Sequence, residues 1–166
     1  MATIDDHPRK FAVGASGLGA VAMAGAVALV GGFEGKRNWT YFDVVGVPTA
    51  CYGHTGPDVK AGQHYTDAQC SGQLADDIRK HYDGMVRCAP RLDTVADAPK
   101  RAFVSLTFNI GVSGFCRSSI PRKVALGQDA AACATISLFD KAGGHVVKGL
   151  TIRRAAERRL CEEGLR

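Results

Sequence analysis

Residues 34–56 read EGKRNWTYFDVVGVPTACYGHTG, and the reading of this stretch decides the architecture. Within it and on to His64, β-branched and aromatic residues are punctuated by Gly and Pro: Val44, Val45, Gly46, Val47 and Pro48, then Tyr52 and Gly53. From Asp43 to His64 this pattern predicts short strands joined by tight turns. At Thr66 the period changes. Thr66 and Gln69 have capping-box spacing, and Cys70, Leu74, Ile78, Tyr82 and Met85 recur at steps of three or four, one face of a helix. Asp97 and Pro99 open a second helix through Ala102, Phe103, Leu106 and Ile110, stopped at Gly111. Its apolar content assigns it to the core. Shorter helices are expected over 119–126 and 129–140, followed by a turn at Gly143 and Gly144. The last helix, over 151–163, is expected to turn Ile152, Ala156 and Leu160 inward, leaving Arg153, Arg154, Arg158 and Arg159 as a solvated basic face. There is no internal repeat. A small β element followed by helices is an α+β chain.

Upstream, Phe11 to Phe33 contains no charged residue. As one helix it is about 35 Å long, enough for a hydrocarbon core of about 30 Å. Its Gly and Ala content makes it a weak membrane span. Three readings compete: a permanent anchor, a cleaved signal peptide and a weakly held, uncleaved export signal. In the second, Arg9 and Lys10 form the n-region, and Ala22-Met23-Ala24 or Ala24-Gly25-Ala26 is the cleavage site. The scarcity of Leu and Ile favours the third, and all three send the remaining chain out of the cytoplasm. Two regions follow: a tail and export segment over 1–33, and a folded domain over 34–166.

All six cysteines (Cys51, Cys70, Cys88, Cys116, Cys133 and Cys161) lie beyond that segment. An even count in a small exported domain points to disulfides, with the connectivity open. The alternative is a metal site from Cys51, His54, His64 and Cys70, but this spacing suits no common zinc pattern. The chain has 166 residues, one domain's worth, and carries 21 Lys and Arg against 16 Asp and Glu, a net charge of +5. With 46% hydrophobic and 22% charged residues it is not collagen-like, coiled-coil or wholly disordered. The positive charge favours an anionic partner, whether nucleic acid, acidic lipid or cell wall. No nucleic-acid motif is present and export separates the chain from DNA, so nucleic acid is set aside.

Glu34, Asp43 nine residues on and Thr49 six further supply two carboxylates and a hydroxyl. Glycoside hydrolysis needs one protonated carboxyl to give the leaving oxygen its proton, and one ionised carboxylate to stabilise positive charge or activate water. Such a pair alone is weak evidence, because acidic residues are common at helix ends and turns.

The context is more specific. Glu34-x8-Asp43-x5-Thr49, followed by Cys51-Tyr52-Gly53-His54-Thr55-Gly56, resembles the phage-type lysozymes of glycoside hydrolase family 24. Collinear matches continue at Tyr65-Thr66, at Phe108-Asn109-Ile110-Gly111, at Arg117-Ser118-Ser119 with Arg122-Lys123, at Ala142-Gly143-Gly144, and at Lys148-Gly149-Leu150-x2-Arg153-Arg154-x2-Glu157. The export segment resembles that of the family's signal-anchor-release endolysins. This resemblance implies a lysozyme-like α+β fold with a small sheet lobe and a larger helical lobe. It implies an inverting muramidase without cofactor or metal, in which Glu34 is the general acid, Asp43 the second carboxylate and Thr49 the hydroxyl positioning water. His54 and Phe139 are implied at the substrate cleft, Phe139 standing near where relatives carry Trp before the Ala-Gly-Gly turn. Disulfides Cys51–Cys70, Cys88–Cys116 and Cys133–Cys161 are proposed on the same basis. The implied partners are bacterial peptidoglycan, the inner membrane through residues 11–33 and the host Sec machinery, with the enzyme monomeric. It would be tethered facing the periplasm and then released. No cysteine precedes Cys51, so a thiol switch in the anchor is unavailable, and control falls to the position of Glu34. Two other readings are a non-catalytic, membrane-tethered wall-binding protein and a chitin-cleaving hydrolase on a similar fold.

Overall fold

The computed structural model describes residue 11 and residues 17–166. Arg9 and Lys10 of the n-region, and residues 12–16 of the apolar segment, lie outside the described residues. From Ala20 onward the segment lies in helix α1 (Ala20–Glu34), which packs against α2 (Asp67–Cys88) and α3 (Asp97–Arg117). Ala22, Ala26 and Val30, one turn apart, are fully buried. Small residues let the backbones approach: a Cβ at Gly25 would sit 2.5 Å from Arg101 Nη1. Among the described residues, no helix is long and apolar enough to cross a membrane. The sequence boundary at 33/34 falls one residue before the end of α1.

Polar groups fasten the chain ahead of α1. Asp93 accepts the Gly17 N–H at 2.8 Å, and the Lys100 ammonium donates to the Gly17 carbonyl at 2.8 Å. Buried Asp129, paired with Arg91, accepts the Phe11 N–H at 2.8 Å. The Phe11 ring meets Phe103 edge-on.

Strands β1 (Arg37–Phe42), β2 (Pro48–Cys51) and β3 (His54–Thr55) form an antiparallel sheet in sequence order. The first strand starts earlier than the composition suggests, and Val44 to Val47 are turn rather than strand. Asp43 causes this: its carboxylate accepts the Val45 and Val47 N–H groups at 2.9 and 2.8 Å, closing the β1–β2 turn.

Helix α2 begins at the capping box, with Thr66 Oγ1 accepting the Gln69 N–H and Gln69 Oε1 accepting the Thr66 N–H. Its expected stripe of Cys70, Leu74, Ile78, Tyr82 and Met85 is buried. In α3 the helical path breaks at Gly111, where φ is +76°, and resumes as a short helix to Arg117. A left-handed angle of this kind favours glycine. Helices α4 (Ile120–Ala125) and α5 (Asp129–Thr135) follow, then a 3-10 turn (Ile136–Leu138). A two-stranded ribbon of β4 (Lys141–Ala142) and β5 (His145–Val146) turns at Gly143 and Gly144, both at positive φ, and leads into α6 (Lys148–Glu163).

Helix α6 corrects the sequence reading. Arg153, Arg154 and Glu157 are buried and Ile152 is exposed, so the stripe of paired charges faces the core. The disulfides Cys51–Cys70, Cys88–Cys116 and Cys133–Cys161 tie β2 to α2, the end of α2 to the end of α3, and α5 to α6. Because Cys51 and Cys70 are bonded, they offer no thiolates to a zinc ion.

Candidate active site

Glu34 is the last residue of α1, and the chain turns sharply after it. Gly35 holds φ +70° and ψ 152°, a conformation essentially restricted to glycine. Glu34 lines an open cleft of about 440 Å³ with Phe33, Asn109, Val147, Leu150 and Arg153. Its carboxylate accepts a hydrogen bond from Arg153 Nη1 at 2.6 Å, and the side chain keeps 24% of its surface exposed. The Arg153 guanidinium also lies over the Phe33 ring, 5.0 Å from its centre.

Arg153 is held from behind. Its Nε donates to Glu157 Oε1 at 3.1 Å and its Nη2 to the Ser105 carbonyl at 3.3 Å. Glu157 Oε1 further accepts Ser105 Oγ at 2.7 Å and Arg154 Nη2 at 2.9 Å, while Arg154 Nη1 donates to Asn109 at 3.0 Å. Two arginines and two glutamates therefore form a charge-balanced chain from the α3–α6 interface to the cleft. Burial pushes the Arg154 guanidinium below its usual value, against the pull of Glu157. A buried charge left unpaired is strongly destabilising, so this chain fixes one geometry for Arg153 and one for Glu34. Sequence reading missed it by placing these arginines outward. The usable signal was the i, i+3 and i, i+4 spacing of Arg154 and Arg153 to Glu157.

Asp43 and Thr49 stand on the sheet. The Asp43 carboxylate is engaged by the turn amides, with the side chain half-buried. Buried Thr49 donates through Oγ1 to the Val47 carbonyl at 2.9 Å, so both residues are tied to the backbone of Val47. Glu34 is thus fixed by the helical lobe, and Asp43 with Thr49 by the sheet lobe. A protonated Glu34 has the chemistry to donate a proton, and the other two to bind or orient a water.

His54 is buried on β3, and both ring nitrogens are engaged: Nδ1 with Asp77 at 2.6 Å and Nε2 with Asp58 at 3.0 Å. Asp77 also pairs with Lys80 at 3.1 Å. Burial disfavours the imidazolium, but hydrogen bonds to the two carboxylates outweigh it and raise the His54 pKa above its ordinary value. The ring braces β3 against α2. Phe139 packs half-buried on the main core, and of the expected site residues only Glu34 lines this cleft; Asp43, Thr49, His54 and Phe139 do not. Among the described residues, no group of three or more His, Cys, Asp or Glu is arranged to hold a metal ion.

The sequence profile of the phage lysozyme family matches residues 31–157. The SAR-endolysin of Bacteriophage PS119 is 35% identical over 153 residues, covering 86% of this chain and 87% of its own. That of Enterobacteria phage P21 is 35% identical over 158 residues, covering 92% of this chain and 94% of its own. The active form of P1 phage endolysin Lyz superimposes with a TM-score of 0.75 at 26% identity, covering 92% of this chain and 98% of that one. The secreted inactive form of the same endolysin gives 0.51 at 26% identity, over 67% and 78%.

Proposed function

The chain belongs to the phage lysozyme family, a glycoside hydrolase family, and from that premise we propose that it is an endolysin cleaving peptidoglycan at the host cell's lysis. The bond is the β-1,4 link between N-acetylmuramic acid and N-acetylglucosamine. Glu34 is the general acid, Asp43 the second carboxylate, and Thr49 orients the attacking water in an inverting reaction. Arg153 positions the Glu34 carboxyl, and His54 acts by bracing the sheet lobe. The net charge of +5 suits an anionic wall.

The N-terminal segment controls the enzyme. It exports the chain through the host Sec pathway, tethers it to the inner membrane facing the periplasm, and releases it uncleaved. One observation carries this reading: the apolar segment and the acid share helix α1. Ala22, Ala26 and Val30 are core residues, while Glu34 ends the same helix against Arg153. A bilayer-inserted α1 has neither contact, so insertion and a completed site exclude each other. Cleavage near Ala22–Ala26 would delete core side chains, which supports the uncleaved form.

The test is hydrolysis of purified peptidoglycan by wild type and Glu34→Gln, held in liposomes and after release, with muropeptides identified by mass spectrometry. Released wild type is expected to yield reducing-end N-acetylmuramic acid. Glu34→Gln is expected to lose about 100-fold or more, the scale of a lost general acid. Equal activity in the tethered and released states overturns the control mechanism. A released wild type that binds wall without yielding fragments overturns the catalytic reading in favour of a wall-binding protein, and cleavage of chitin in preference overturns the substrate.

A further inference from the structure

The β1–β2 hairpin leaves unusual side chains uncovered. At its tip Phe42 is 62%, Val44 102% and Val45 78% exposed, and Trp39 is 61% exposed further down β1. Contiguous exposed apolar surface of this kind marks a contact site in a soluble domain. Order along the hairpin says what the contact is. The apolar tip comes first. Below it stand aromatic residues, Tyr41 with the Arg37 guanidinium 4.5 Å over its ring, and Trp39 edge-on to His64. The cations stand at the same level: the Arg37 guanidinium over Tyr41, and exposed Lys60, whose carbonyl accepts from Thr40 between Trp39 and Tyr41, while Lys36 at the start of the strand pairs with Asp67. Among the described residues Arg37 and Lys60 enter no ion pair. An apolar tip backed by aromatic rings and cations is the chemistry met on passing from acyl chains into an interface of anionic headgroups.

The turn backbone suits the same environment. The Val45 and Val47 N–H groups donate to the Asp43 carboxylate, the Gly46 N–H to the Asp43 carbonyl, and the Asp43 N–H to the Val47 carbonyl. Four amide donors of the turn are therefore satisfied internally, and the one carboxylate at the tip is occupied by two of them. Each amide met in this way lowers the cost of entering a poorly hydrated interface.

We propose that the β1–β2 hairpin is a peripheral membrane-binding element. Phe42, Val44 and Val45 enter the headgroup region of an anionic bilayer, while Arg37 and Lys60 contact its phosphates. This contact is separate from insertion of residues 11–33; it involves the turn closed by Asp43, but its readout is lipid binding rather than hydrolysis, so its failure is distinguishable from failure of the muramidase reading.

Trp39 is the chain's only tryptophan and sits on the hairpin itself, so it reports from the proposed contact. The full chain is mixed with vesicles of phosphatidylglycerol and phosphatidylethanolamine, or of phosphatidylcholine alone, with brominated acyl chains as quenchers. With anionic vesicles, Trp39 emission is expected to shift to shorter wavelength and to be quenched by shallow bromines. The double variant Val44→Asp/Val45→Asp, its fold checked by near-ultraviolet circular dichroism, keeps the N-terminal segment and is expected to need about tenfold more lipid for the same quenching. If that variant does not fold, the surface pair Arg37→Gln/Lys60→Gln is expected to need about tenfold more anionic lipid for the same Trp39 quenching. Co-sedimentation with unquenched Trp39, or equal quenching in wild type and variant, overturns the proposal. So does a Trp39 response to peptidoglycan fragments or to self-association in place of vesicles.

Discussion

At Glu34 the carboxylate meets a guanidinium that is itself anchored by Glu157 and the Ser105 carbonyl, so a residue 119 positions away in sequence fixes its direction. His54 shows the same logic on the sheet side, with sheet placement depending on two carboxylates, one of them on α2. Its raised pKa makes this brace depend on pH. The contribution is fully present below the unfolded histidine value of about 6.5 and is lost as pH rises through the higher folded value. Asp77→Asn is therefore expected to destabilise the protein by about 1.5–3 kcal/mol near pH 5.5, the scale of a hydrogen bond to a charged group. The difference is expected to shrink as pH rises through that higher folded value. Urea unfolding of both proteins across this range checks it, and a difference independent of pH would show that the brace does not use the imidazolium.

Helix α1 is the element on which the proposed site depends. Its small residues allow close packing on α3, and its last turn presents Glu34 just before a backbone angle only glycine adopts readily. Gly35→Ala is expected to cost about 1–3 kcal/mol of stability from the strained conformation. It is also expected to lower lytic activity more than stability alone accounts for, because any relief of strain rotates Glu34 away from Arg153. Comparing activity well below the melting temperature with the unfolding free energy separates the two effects. Unchanged activity in the variant would mean the exit from α1 does not set the position of the acid.

Across the whole molecule, three disulfides hold a lysozyme-like fold whose main core joins α1, α2, α3 and the shorter helices. Cys133–Cys161 closes a separation of 28 residues and clamps α5 to α6, the helix carrying Arg153 and Arg154. Replacing both cysteines by serine is expected to cost about 3–4 kcal/mol through the freed unfolded chain. The melting temperature is expected to fall accordingly, while a loss below about 1 kcal/mol would mean that α6 is held by its charge network and packing alone.

Local chemistry was legible in the linear chain. The capping box at Thr66 and Gln69, the apolar stripe of α2, the break at Gly111, the turn at Gly143 and Gly144, and the α+β order all follow from near-neighbour interactions, whose signals are local in sequence. Long-range pairing was not legible. Whether Arg153 and Arg154 meet water or carboxylate depends on Glu34, Ser105 and Asn109 arriving from α1 and α3, and no periodicity records that. Likewise, Val44 and Val45 have strand composition, but the Asp43 side chain turns them outward as a hairpin tip. The apolar segment has the composition of a weak membrane span, and only the tertiary structure places Ala22, Ala26 and Val30 in the protein core, because α2 and α3 arrive from later in the chain to cover them.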